Sequence, residues 1–237
     1  MFTSLQDAQK YCNKLPLQLE QYLDPDYQQA LDRTIESLNQ FFDVALTINH
    51  QAADKQHIST REATEIGEHG FTLLLKLIDL MEKLELPKKR KEIEQIALIF
   101  ARWTIQHQGR LNHIEPLVNA FAHAANNMRQ KKSLHALVEF MSMVIDACAD
   151  NIKHDIEDSS LYRPWRLLLV NRGLIATRTY DIELIRQVFD ELVLYLPQEA
   201  TEFFDEGVRE IENLDYPDSV RQIIQQYHRQ QPKIRLH

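Results

Sequence analysis

Acidic and imidazole side chains near residue 150 have the types and the spacing that could bind a metal ion. Asp146, Asp150 and His154 recur every four residues, and Asp155 follows directly. A helix would place the first three on one face. Carboxylate and imidazole donors in one row suit a divalent metal. The other interpretation is a solvated acidic helix end that pairs with nearby arginines.

The sequence HDI at 154–156 resembles the core of the HD phosphohydrolases, an all-helical metal-dependent family with scattered histidine and aspartate ligands. On this hypothesis Asp150, His154 and Asp155 are metal ligands of a hydrolase. The glycine and the basic residue that usually follow in that family are both acidic here. We therefore keep the hydrolase as an alternative hypothesis, and predict neither a bound metal nor a cofactor.

A second row of polar residues interrupts an apolar helix that is predicted to start within 112–116. Glu115, Asn119 and His123 recur at four-residue spacing, and Asn126 follows. Burying such groups without partners costs ~1–3 kcal/mol each. Either they satisfy one another within a core, or they line a groove that binds a ligand.

A third set consists of arginines next to Asn171. Their planar guanidinium groups suit the recognition of carboxylate or phosphate. The series is Arg163, Arg166, Arg172 and Arg178. It either binds an acidic peptide or pairs internally with carboxylates, namely Asp155, Glu157, Asp158 and Asp190.

The two polar sets together predict a partner-binding groove between the helix at 112–128 and the hairpin at 161–197. Its residues are Asn119, His123, Asn126, Arg166, Asn171 and Arg172. The prediction requires the arginines and Asn171 to be at least partly exposed.

Composition excludes several classes of function. The chain has 237 residues, a formal net charge of −8 and five glycines. Neither G-x-G-x-x-G nor G-K-[ST] occurs, so nucleotide-binding folds of these two kinds are excluded. The acidic balance predicts no binding to nucleic acid or to anionic membranes. No apolar run approaches the ~18 residues of a membrane-spanning helix.

Cysteine usage and the N-terminus bear on the compartment. Cys12 and Cys148 lie on predicted helices without C-x-x-C spacing, and free thiols without a disulfide framework are typical of a reducing compartment. Residues 1–12 lack the apolar segment of a signal peptide. The sequence therefore predicts a cytoplasmic protein.

The hydrophobic pattern predicts an all-α fold. Apolar residues recur at helical spacing through about ten segments, and no segment alternates as a strand does. Short connections predict stacked antiparallel hairpins or, alternatively, an irregular helical bundle. We predict one domain over 1–237, with a seam near Pro87 that divides 1–86 from 87–237. Gly109 is predicted as the residue just past the end of the helix that Pro87 begins.

Residues 161–197 form the predicted central hairpin, with a tight turn at Tyr180–Asp181. Asp181 is a favourable N-cap for its second helix. Gly173 lies inside the first helix, where glycine costs ~1 kcal/mol relative to alanine. Close approach of a neighbouring helix would offset that cost, so Gly173 is predicted to be a helix–helix contact.

A shift of 34 positions superposes this hairpin on the residues that follow, with Gly173 on Gly207. Helix–turn–helix units of this length are the tetratricopeptide signature. Residues 164–231 resemble that family, because Gly173, Phe189 and Pro197 have the mutual spacing of its small residue, its aromatic residue and its terminal proline. A leucine and an alanine of the signature are replaced here. The resemblance implies a concave surface that binds extended partners.

These observations favour a non-enzymatic protein-interaction or scaffold protein of the helical-repeat type. Its predicted partner is another protein or an acidic peptide segment. The alternatives are the HD-type phosphohydrolase and a structural homodimer without a separate ligand.

Overall fold

The structure is a computed structural model that describes residues 2–53, 57–153, 163–211 and 215–231. Within these ranges the protein is all-α, as predicted, and its helices pack as hairpins and bundles. No strand forms there, although an isolated parallel bridge joins Leu111 and Cys148. The helices of the described ranges are α1 (Leu5–Cys12), α2 (Leu15–Leu19), α3 (Pro25–Ala53), α4 (Thr60–Lys83), α5 (Pro87–Gln106), α6 (Glu115–Asn127), α7 (Lys131–Ala147), α8 (Asp150–Lys153), α9 (Pro164–Thr177), α10 (Ile182–Tyr195), α11 (Pro197–Glu210) and α12 (Asp218–Gln230).

The described chain forms two compact units. Unit 1 consists of described residues within Met1–Ala124 and Met143–Asp155, and unit 2 of those within Ala125–Ser142 and Ile156–His237. Pro87, the predicted seam, lies inside unit 1 at the start of α5. The predicted single domain stays a prediction, because two compact units can still fold cooperatively as one domain.

The core of unit 1 is built by α3, α4 and α5, with α1 packed against α3 and α5. Ser59 and Glu62 form a capping box that starts α4: the Glu62 amide donates to Ser59 Oγ, and the Ser59 amide donates to the Glu62 carboxylate. Aromatic rings fill the interior, and the Trp103 indole N–H donates to the Ala45 carbonyl oxygen at 3.2 Å. The other clustered rings are Phe41, Phe42, Phe71 and Phe100.

The end of α5 differs from the sequence prediction. Gln108, not Gly109, adopts the left-handed backbone, with φ 62°. Gly109 is required for a different reason: a Cβ there would lie 3.0 Å from the Ala63 carbonyl carbon and from the Thr64 amide nitrogen. Close approach to the backbone of α4 therefore explains this glycine.

Unit 2 contains the hairpins α9–α10 and α11–α12, and α10 packs against α9, α11 and α12. Asp181 caps α10 as predicted, accepting hydrogen bonds from the amides of Glu183 and Leu184. The turn before it places Tyr180 in the left-handed region, with φ 61°. Phenylalanine and tyrosine rings form the interior, namely Phe189, Phe203, Phe204 and Tyr227. The tetratricopeptide resemblance stays a prediction.

None of the helices in the described ranges is long and apolar enough to cross a membrane.

Gly173 is a helix–helix contact, as predicted from the sequence. A Cβ at this position would lie 2.8 Å from Phe203 Cζ on α11, and the Phe203 ring is itself packed against Phe189 and Phe204. We expect Gly173→Leu to lower the free energy of unfolding by ~1–3 kcal/mol through overpacking, measured by urea denaturation.

A double-mutant cycle with Phe203→Ala tests this cause. Removing the ring makes room for the leucine, so the two substitutions together should destabilise less than the sum of their separate effects. Strict additivity would assign the cost of Gly173→Leu to something other than the Phe203 contact.

Both thiols should be inert in the folded protein. Cys12 and Cys148 are fully buried, and burial raises the pKa of each thiol to about 12. The thiolate is the reactive form, so at pH 8 neither native thiol should react with Ellman's reagent, whereas both should react in urea. Raising the pH from 8 toward 10 should accelerate the labelling of the unfolded chain but not that of the native protein. Rapid labelling of native protein would contradict this assignment.

Candidate functional site

Arg172 does not meet the exposure that the sequence prediction requires of it. Its side chain is 1% exposed, and its Nη1 donates to Glu191 Oε2 of α10 at 2.6 Å. The other donor atoms, Nε and Nη2, are buried without a hydrogen-bond partner in the described part of the chain. The physical reason is that α9 is covered around most of its circumference, so a mid-helix arginine lies inside the unit.

Two further arginines of the series form ion pairs within unit 2. Arg163 lies 3.8 Å from Glu199, and Arg166 lies 3.7 Å from Glu202, both on α11. These carboxylates were not among the predicted internal partners, of which Asp155, Glu157 and Asp158 lie outside the described residues. Asn171 is half-buried.

The polar row on α6 includes a hydrogen bond to a buried carboxylate of unit 1. Asn119 is exposed, and its Nδ2 donates to Oε1 of the buried Glu94 at 3.0 Å. Glu94 Oε1 also accepts a hydrogen bond from Arg90 Nε at 3.1 Å. Asn119 and Arg90 together satisfy this buried carboxylate of α5. His123 is half-buried and Asn126 is exposed. The predicted groove draws on residues of both units and stays a prediction.

The alternative metal ligands fall mostly outside the described part of the chain. Asp150 begins α8, whereas His154 and Asp155 are not among the described residues. The residues that are described contain no group of three or more histidine, cysteine, aspartate or glutamate side chains that could hold a metal ion.

Unit 2 presents an open cavity of about 450 Å³ that the sequence did not predict; we call it the α7 cavity. One wall is the first part of α7, and the other is the turn between α9 and α10. Its lining residues are Lys131, Lys132, His135, Ala136, Glu139, Thr179 and Asp181. The volume lies within the range typical of ligand sites.

Local hydrogen bonds hold the turn that forms the second wall. Thr179 Oγ1 donates to the Ala176 carbonyl oxygen at 2.7 Å and accepts from the Asp181 amide at 3.1 Å. Arg178 Nη2 donates to the carbonyl oxygens of Ala125 and Met128, each at 2.9 Å. The turn is thereby tied to the segment that leads into α7, so both walls belong to one packed arrangement.

Charges in the α7 cavity are separated into two ends. Lys131 and Lys132 form the lysine end, where Lys131 Nζ lies 4.1 Å from the centroid of the Tyr180 ring. Glu139 and Asp181 form the carboxylate end. His135 lies between these two carboxylates, with Nδ1 3.4 Å from Asp181 Oδ2 and Nε2 3.5 Å from Glu139 Oε1.

Unit 1 has a second cavity, of about 440 Å³, beside the start of α4. Its polar groups are largely used in holding the chain together. The Arg110 amide donates to Thr64 Oγ1 at 2.9 Å, and Arg110 Nη1 donates to the Asp146 carbonyl oxygen at 3.0 Å. The α7 cavity is therefore the stronger candidate site.

One signal in the sequence pointed to the α7 cavity. Lys131, His135 and Glu139 recur at four-residue spacing, like the polar row on α6. The proximity of Thr179 and Asp181 had no comparable signal, because it depends on how α7 packs against a turn 40 or more positions later in the chain.

No protein-family model, curated protein or solved structure matches this chain. The function of the α7 cavity is therefore inferred from the geometry of the cavity alone.

The Arg172–Glu191 pair generates a prediction about stability. The Glu191 side chain is 28% exposed, whereas the Arg172 side chain is 1% exposed. Glu191→Ala should therefore be the more damaging change, lowering the free energy of unfolding by ~3–5 kcal/mol because it leaves a buried cation unpaired. Arg172→Met leaves a partly hydrated carboxylate and removes two unbonded donors, so we expect a smaller loss in urea denaturation.

Gln187→Ala is the matched control, since it removes a hydrogen bond to the other oxygen of the same carboxylate, Glu191 Oε1, without unpairing a charge. Its effect should be near the ~1 kcal/mol of one hydrogen bond. If Arg172→Met proved the more damaging of the two charge substitutions, burial of the cation would not be the controlling factor.

Proposed function

We propose that this chain is a non-enzymatic protein-interaction protein, and that its α7 cavity binds a segment of another protein. The anchor of that segment is an acidic side chain that reaches the lysine end. The observation that carries the proposal is the pair of exposed lysines, Lys131 and Lys132, that line a cavity with a hydrogen-bonded turn as its other wall.

The contacts of Lys131 and Lys132 and their position on α7 support an anionic anchor. In the described part of the chain Lys132 has no ion pair, and Lys131 contacts the face of the Tyr180 ring. Both lie in the first turn of α7, where the positive end of the helix dipole disfavours cations by ~0.3–1 kcal/mol each. A carboxylate from a partner would offset that repulsion.

The contacts of the cavity support binding rather than catalysis. Both ring nitrogens of His135 face carboxylates, and the hydroxyl of Thr179 donates to the Ala176 carbonyl oxygen. A nucleophile needs a base within hydrogen-bond reach, and among the described residues Thr179 Oγ1 donates to a backbone carbonyl oxygen and not to a base. The cavity therefore supplies charged and polar contacts to a ligand without an activated nucleophile.

The proposal includes a helical-repeat scaffold of the tetratricopeptide type in the cytoplasm. Supporting observations are that α9, α10, α11 and α12 have 13 or 14 residues each and that Cys12 and Cys148 are free thiols. The HD-type hydrolase and the structural homodimer remain alternative hypotheses, and no contact within the described residues favours either one.

Substitution at the lysine end tests the proposal. Short fluorescein-labelled peptides that carry one glutamate, or glutamine in its place, are titrated with the full chain by fluorescence polarisation. We expect the glutamate peptides to bind more tightly than the glutamine peptides. Lys132→Glu should lower the affinity for the glutamate peptides by about tenfold, which corresponds to ~1.4 kcal/mol. Added salt should weaken wild-type binding.

Lys88→Glu is the matched control, because Lys88 is also an exposed lysine in a first helical turn, on α5 of unit 1. It makes the same change in net charge away from the α7 cavity and should leave the affinity unchanged. Equal weakening by both substitutions, or equal binding of glutamate and glutamine peptides, would refute the proposed anchor.

A further inference from the structure

We infer that the α7 cavity selects a bipolar peptide segment, in which an acidic residue and a basic residue lie about four positions apart. The inference rests on the proposed function and names its ligand. The opposite charges at the two ends of the cavity carry it.

The spacing of these charges follows from the geometry of α7. Lys131, His135 and Glu139 lie on successive turns of one helix face. At a rise of ~1.5 Å per residue, Lys131 and Glu139 are about 12 Å apart along the helix axis. An extended peptide advances ~3.3 Å per residue, so it covers this distance in about four residues.

The carboxylate end is available to a cation mainly through Glu139. The Glu139 side chain is 63% exposed, whereas Asp181 Oδ1 already accepts the amides that start α10. The His135 ring lies between the two carboxylates. A lysine or arginine side chain of the ligand would form an ion pair with Glu139, the exposed carboxylate of this end.

At the lysine end, Lys131 contacts an aromatic ring of the turn. Lys131 Nζ lies over the Tyr180 ring, and that ring meets Tyr216 edge to face at 6.1 Å between centroids. Tyr180 keeps a left-handed backbone that a side chain of this size rarely adopts. The turn thus places an aromatic ring under Lys131, and Tyr216 packs against that ring.

The sum of the charges excludes a uniformly acidic ligand as the best fit. The two ammonium groups of the lysine end are matched in number by the two carboxylates of the other end. A run of acidic residues would be attracted at the lysine end and repelled by Glu139, whereas a bipolar segment is attracted at both ends. The middle of the segment passes Ala136 and Thr179.

Three peptides with extended-favouring spacers test the inference. They contain Glu-Thr-Val-Thr-Lys, Glu-Thr-Val-Thr-Gln or Glu-Thr-Val-Thr-Glu, each with the same flanks, and are titrated with the full chain by fluorescence polarisation. We expect the affinity to fall in that order, with about tenfold between the first and the last peptide.

Glu139→Lys should reverse the order, because it places an ammonium group at each end and leaves the cavity with three lysines and one carboxylate, that of Asp181. The peptide with two glutamates should then bind most tightly. Glu206→Lys is the matched control, since Glu206 is an exposed glutamate of α11 outside the cavity, and it should keep the wild-type order. Unchanged thermal unfolding of both variants shows that the fold is kept.

The other outcomes separate the two proposals. Equal affinity for the three peptides, or no reversal in Glu139→Lys, would overturn the bipolar inference and leave the acidic anchor standing. Failure of all three peptides to bind would overturn the proposed function and the inference with it. Self-association of the wild type that Glu139→Lys abolishes would assign the cavity to a second copy of this chain, which also overturns the inference.

Discussion

The candidate site depends on one interaction, the double hydrogen bond from Arg178 to the carbonyl oxygens of Ala125 and Met128. The last carbonyl groups of a helix have no partner inside it, and a cation is favourable at that end. Arg178 therefore satisfies the end of α6 and fixes the α9–α10 turn beside the start of α7. Two exposed or half-buried contacts, His135 with Asp181 and Lys131 with the Tyr180 ring, then join the turn directly to α7.

Burial decides what each cation in unit 2 can do. Arg172 is sealed inside the unit, so its charge is matched by Glu191 and acts in packing. Lys131 and Lys132 are exposed, and the described residues offer them a ring face but no carboxylate. Arg172 therefore belongs to the packed interior of unit 2, whereas Lys131 and Lys132 are accessible to a ligand. Charge in the sequence cannot distinguish these roles, whereas solvent access does.

Local interactions explain the parts of the fold that the sequence predicted. Hydrophobic spacing of 3.6 residues identified the helices, and the side-chain caps at Ser59 and Asp181 identified two of their starts. Gly173 was interpreted correctly because glycine inside a helix is unfavourable unless a neighbour needs the space. The prediction for Gly109 is wrong, because the environment of this residue is set by the backbone of α4, which lies more than 40 positions earlier in the chain.

The sequence by itself determined the all-α class, most helix positions and the tight turn at Tyr180–Asp181, because these follow from interactions within a few residues. Only the tertiary structure decided that Arg172 is internal, that Asn119 bonds Glu94 and that Lys131 lies over Tyr180. The physical reason is the same in each case. Whether a polar side chain binds inside the protein or faces a partner depends on the group packed opposite it, and that group comes from a distant part of the chain.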